Sequence, residues 1–176
     1  AFFWLDEARI VNTCYAATEP SIGLKLNRDD AKYKLYFADT GLLISHSFDE
    51  NEILTDKLYA KLLLDKIEIN KGMLVENLVA QMFRASGKKL YYYTQSSRDN
   101  SEDNIEIDFL IRKPIVTSRH NICPVEVKSS SNYKTSSLIK FRNKFSQYLH
   151  TNYVLHSGDL KEDNGILYLP LYMAPL

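Results

Sequence analysis

The sequence predicts a mixed α/β (α+β) fold, with a central mixed sheet flanked by helices. Three observations predict it. From residue 73 onward the pattern reads helix, three strands, helix, two strands. The helix over 73–86 carries Leu74, Val75, Leu78, Val79, Met82 and Phe83 in the rhythm of a buried face. The stretches 105–110 and 124–129 alternate apolar and polar residues, as half-buried strands do.

The earlier elements follow in chain order. Residues 2–10 read as the end of a helix with no N-cap, which implies a missing upstream domain. Strands are expected over 10–16 and 33–37, joined by a polar loop with Pro20, Gly23 and Asn27. A helix followed by two strands of this kind suggests the tail of a winged-helix unit. Asp39 is placed to cap a short apolar helix over 42–44. A further helix is expected over 54–64, and 70–72 breaks the chain before the main helix, whose end is marked by Gly87.

Strands are then expected over 88–93, 105–112 and 122–129, consecutive and therefore antiparallel. A helix over 135–148 sets Leu138, Phe141, Phe145 and Leu149 on one side and Lys140 and Lys144 on the other. Strands over 152–156 and 166–172 follow, separated by a turn over 157–165. The crossover helix makes the next strand parallel, so the sheet is mixed.

Composition narrows the class. The chain has 176 residues, 45% hydrophobic, which points to a packed domain and away from disorder. Twelve tyrosines favour a sheet. Lys+Arg and Asp+Glu balance at 22 each, against the basic excess of a chain that coats nucleic acid. The distribution is uneven: between Val127 and Gly158 there is no Asp or Glu, while Lys128, Lys134, Lys140, Arg142 and Lys144 are present. Such a stretch meets phosphates or forms a solvated helix face. Cys14 and Cys123 lack zinc-site spacing and read as free thiols. No leader and no run of 18 apolar residues occurs, so a cytoplasmic protein without membrane contact is the expectation. There is no phosphate-binding P-loop pattern, no GxSxG and no GxGxxG.

The chemistry gathers on the two alternating strands. Glu126 and Lys128 are two apart and leave the sheet on one side. Seventeen residues separate Asp108 from Glu126, enough for a turn and a return on the neighbouring strand. An Asp facing a Glu and a Lys suits Mg2+, or Mn2+, and a phosphate. Asp108 and Glu126 would be the ligands, with the Val127 main-chain carbonyl, and Lys128 would position water or neutralise charge on the phosphate. Glu76, on the edge of the helix stripe, either reaches the metal or pairs with a surface lysine. Glu106 stands two residues before Asp108 as a supporting acid. The alternative is an acid–lysine ion-pair cluster at the sheet surface. The acid-x-Lys triplets at Asp30 and Asp159 lie in loops without a second acid, so context carries the reading.

Several motifs together resemble one family: Lys34-Leu35-Tyr36-Phe37-Ala38-Asp39-Thr40-Gly41-Leu42-Leu43, Gly72-Met73-Leu74-Val75-Glu76-Asn77, Tyr92-Tyr93, Glu106-Ile107-Asp108-Phe109, Pro124-Val125-Glu126-Val127-Lys128-Ser129 and Leu169-Pro170-Leu171-Tyr172. The family is the C-terminal domain of unknown function of bacterial and archaeal AAA+ ATPases. The resemblance implies a PD-(D/E)XK restriction-endonuclease-like core over 67–176, preceded by a partial winged-helix-like segment over 1–66. It implies Asp108, Glu126 and Lys128 as the signature triad and Glu76 as the helix acid. ATP would act only through an upstream ATPase domain. Ile107 stands where the motif's name has proline, and Thr151 where some nuclease relatives place tyrosine after Gln147.

Two functions compete. One is metal-dependent cleavage of DNA phosphodiesters, with Lys134, Lys140, Arg142 and Lys144 contacting the backbone. The other is a non-catalytic DNA- or protein-binding module regulating the ATPase. A structural homo-oligomerisation domain is a third reading.

Overall fold

The computed structural model describes residues 3–21, 23–47, 70–97, 103–113, 118–130 and 132–174. The expected helix over 54–64 and the expected domain boundary at 66/67 lie outside the described residues.

Helix α1 (Phe3–Glu7) leads into the hairpin β1 (Val11–Ala17) and β2 (Arg28–Phe37), which is longer than the apolar pattern suggested. Its extra residues, Arg28 to Lys32, are polar and bury little, so periodicity had no apolar mark to read there. Helix α2 (Thr40–His46) begins as expected at Asp39, whose side chain accepts the Leu42 amide.

Helix α3 (Lys71–Ala85) is capped by Asn70, which accepts from the Met73 amide at 3.1 Å. Gly87 follows its end at φ +79°, a left-handed position that a side chain would strain. Val79, Ala80 and Phe83 are buried, and Met82 packs beside them. Leu78 is turned out to solvent; Asn77 takes an inward place instead. Its amide donates to the Phe37 carbonyl and to Thr40 Oγ1, tying α3 to the end of β2 and the start of α2.

Strands β3 (Leu90–Gln95), β4 (Ile105–Ile107), β5 (Phe109–Arg112) and β6 (Ile122–Val127) follow. The strand expected over 105–112 is interrupted at Asp108. Helix α4 (Ser136–Phe145), β7 (Asn152–His156), a short β8 (Lys161–Asp163), β9 (Ile166–Pro170) and a 3-10 turn (Leu171–Met173) complete the described chain. β8 has no apolar residue, which is why its sequence reads as turn.

The described residues form two mixed sheets in place of the single central sheet expected, ordered β2-β1-β3-β4 and β5-β6-β7-β9-β8. β3–β4 and β5–β6 are antiparallel; β7 lies parallel to β6 after the α4 crossover. β1 runs parallel to β3, so strands from both sides of the expected boundary share one sheet. Two apolar clusters result. One holds Cys14, Tyr36, Val79, Phe83, Phe109 and Val125, the face that α3 covers. The other holds Ile107, Leu110, Ile122, Leu138, Phe141 and Val154, under α4. Tyr92 joins the first, and Tyr91 and Tyr93 the second, as alternation requires. Both cysteines are free and buried. No described helix is long and apolar enough to cross a membrane.

Phe109 is fully buried, with ring centroids 5.5 Å from Tyr36 and 5.4 Å from Phe83. Phe109→Ala is expected to cost about 3–5 kcal/mol, because the rings around it belong to different elements and cannot close the cavity together. A urea titration checks this, through a lower midpoint at unchanged slope.

Candidate active site

The break at Asp108 positions the site. Phe109 pairs with Val125 and Leu110 with Pro124. Carried one residue further, that register sets Asp108 opposite Glu126, at the end of the β5–β6 ladder. There the ladder changes partner: Asp108 Oδ2 accepts the Val127 amide at 2.8 Å. A side chain thus supplies a bond that main chain supplies elsewhere in the sheet.

Asp108 is part-buried, and its carboxyl is pushed up to about 7. Loss of water is the largest cause, and the charge of Glu76 adds to it. The Val127 amide, Lys34 and Lys128 oppose the shift.

Glu126 is 2% exposed. Lys128 lies beside it, with Nζ 2.8 Å from Oε2, confirming that the two side chains leave the strand together. Oε1 has no hydrogen-bond partner among the described residues. Burial raises the Glu126 carboxyl above its ordinary range, and the Lys128 ammonium opposes this most. The Leu138 amide on α4 also favours the charged form.

Glu76 and Glu106 are joined by a residue that the sequence reading passed over. Lys34 Nζ lies 3.2 Å from Glu76 Oε1 and 3.0 Å from Glu106 Oε1. The Tyr36 hydroxyl donates to the same Glu76 oxygen. Glu76 is paired with Lys34 in the structure. Lys34 and Tyr36 are two apart on β2 and so share a face, a signal visible in the sequence. What the sequence does not show is that this face meets α3 and β4.

The expected residues fall into two groups that Lys128 links. Asp108 has Glu76 and Lys34 as charged neighbours on the α3 side, and Glu126 has Leu138 on the α4 side. Lys128 acts on both acids. The donor types fit Mg2+ or Mn2+, and the unpartnered Glu126 oxygen offers a hard ligand atom. No group of three His, Cys, Asp or Glu among the described residues could hold a metal by itself. A magnesium site that keeps several waters requires only one or two carboxylates.

Two of the basic residues of the long acid-free stretch are engaged within the domain. Arg142 donates to the Asn164 carbonyl, and Lys144 reaches Tyr93 Oη and Gln95 Oε1. Lys134 is exposed, and Lys140 lies part-buried on α4. His156 is structural, held between the Tyr133 hydroxyl and the Asp159 carbonyl.

Fold and site together define a mixed α/β domain with a buried acid–lysine centre at the junction of two sheets. Residues 71–173 match the family described as Domain of unknown function (DUF4143), and the chain belongs to that family. No curated protein and no solved structure matches the chain.

Two outcomes test this electrostatic picture. A folded-state carboxyl pKa above the unfolded one binds the extra proton, so its stabilising contribution is complete at low pH. That contribution is lost as pH rises from about 4 toward 7. In EDTA, Asp108→Asn, which keeps an acceptor for Val127, should therefore raise the melting temperature at pH 8. The gain should be about 2–4 °C for each kcal/mol recovered, and it should vanish near pH 4. Lys128→Met should destabilise the protein by about 3 kcal/mol, because it strands a buried carboxylate. Adding Glu126→Gln should restore most of that loss, as a double-mutant cycle in urea will measure.

Proposed function

We propose that the chain is a nuclease-like domain that cleaves DNA phosphodiesters with a divalent metal, attached to an AAA+-type ATPase. The core would then be restriction-endonuclease-like, and ATP hydrolysis would belong to the ATPase domain. One observation carries the reading. Asp108 and Glu126 are acids sunk at the junction of two sheets, with Lys128 acting on both and one Glu126 oxygen left without a partner. Groups perturbed in this way cluster at sites of chemistry.

The protein's own part would be positional. Asp108 is oriented by the Val127 amide, and the Val127 main-chain carbonyl would complete the ligand set. In this reading Glu126 and Asp108, which face α4 and α3 in the free domain, would have to turn toward one Mg2+ or Mn2+, which would polarise a phosphoryl oxygen and make its bound water acidic. Lys128 would leave Glu126 for the phosphate and stabilise the charge that grows there. Glu106 and Lys34 would fix Glu76 at the edge of the site.

A non-catalytic DNA- or protein-binding module of the ATPase is the second reading. It draws on the ion pairs already closed within the domain, Lys128 on Glu126 and Lys34 on Glu76 and Glu106.

Supercoiled plasmid and single-stranded DNA, incubated with the full-length protein and Mg2+ or Mn2+, with and without ATP, decide between them. Cleavage should require metal and fall on the order of 100-fold in Asp108→Ala and in Lys128→Ala. Cleavage that survives both substitutions overturns the mechanism. Absent cleavage, with DNA retention weakened by Lys140→Glu and Lys144→Glu, supports the binding module.

A further inference from the structure

A second concavity lies at the other end of β5. It encloses about 530 Å3, within the roughly 300–1,000 Å3 of small-ligand sites. Three separate segments wall it: the loop between β1 and β2, the link from α3 into β3, and the exit of β5. They bring Lys25, Lys88, Lys89, Arg112 and Lys113 around one space. None of the described residues lining it is acidic.

The chemistry of the walls is specific. Lys88 Nζ contacts Ser86 Oγ at 3.1 Å, and both line the cleft. Lys113 Nζ lies 2.7 Å from His150 Nε2. The imidazole is held toward its neutral form by burial and by the charges of Lys113 and His120. Gly87 leaves open space where a side chain would stand, so the backbone can be approached closely. Leu24 and Tyr91 give one wall an apolar surface.

Cations gathered from distant parts of a chain repel one another, and a multivalent anion relieves that repulsion. We propose that this cleft binds a small polyphosphate, a diphosphate or triphosphate group either free or carried by a nucleotide. The enclosed volume selects this class over a nucleic-acid duplex, which would rest across the rim. The site is separate from the acid–lysine centre: Arg112 is three residues along β5 from Phe109, about 10 Å beyond the residue that follows Asp108.

Isothermal titration of the full chain in EDTA, at constant ionic strength, tests the assignment with sodium tripolyphosphate in one arm and a nucleoside triphosphate in the other. Saturable one-to-one binding is expected in at least one arm. Equal affinity identifies the phosphate chain as the ligand, and tighter nucleotide binding shows that the nucleoside is read as well. Lys89→Gln combined with Arg112→Gln, two neutral changes at the surface, should weaken binding at least about tenfold. Lys161→Glu, outside the cleft, should leave it within about twofold. Circular dichroism of each variant establishes that the fold is retained. Absence of saturable binding in both arms overturns the proposal. So does equal weakening by Lys161→Glu, or binding confined to an oligonucleotide.

Discussion

The hydrogen bond from the Val127 amide to Asp108 holds the centre of this structure together. At Asp108 the chain leaves the β3–β4 ladder and enters the β5–β6 ladder. A main-chain amide left without an acceptor at such a crossing would cost about 1–3 kcal/mol. The Asp108 carboxylate accepts it and so closes the junction. The same bond anchors the acid beside Glu126 and Lys128. Architecture and site chemistry therefore rest on one contact, and the part-burial that makes the contact effective also raises the carboxyl pKa.

Much of the fold was legible in the sequence because apolar spacing encodes it. The Asp39 cap, Gly87 and the Val79 and Phe83 part of the α3 stripe read directly into structure, whereas Leu78 faces solvent and β6, expected to be half-buried, is buried on both faces. The missed strands share a cause. β8 and the first half of β2 are strands without an apolar face, defined by pairing with a neighbour and not by burial. The break at Asp108 was hidden because Ile105, Ile107 and Phe109 alternate without a fault. The fault appears only in packing: Ile107 joins the cluster under α4, whereas Phe109, two residues on, joins the cluster under α3.

The site was legible to a similar depth. Two-residue spacing gave the Glu126–Lys128 pair correctly. It could not supply Lys34, because the partners of that lysine, Glu76 and Glu106, stand 42 and 72 residues away. The basic cleft shows the same limit. A sequence window draws attention to the long acid-free stretch, yet two of its cations are spent on internal carbonyl and amide oxygens. The cations that do converge come from three segments, none of them conspicuous in the chain. Balanced totals of 22 and 22 thus conceal a domain with acids at one end of β5 and cations at the other.

Stability does not require such an arrangement. A well-packed apolar side chain in place of a buried ion pair is often neutral or stabilising. Glu126 is buried with one oxygen unpartnered, and Asp108 is raised although two lysines and an amide oppose the shift. Desolvation therefore outweighs the favourable contacts at Asp108. A lysine at Lys34 or Lys128 cannot remove that cost, because each is shared with a second carboxylate. A positive charge brought close to Asp108 would lower that cost, whereas a neutral ligand would not. The electrostatics of the junction thus favour a positively charged guest on the acid side, just as the cleft at the other end of β5 favours a negatively charged one.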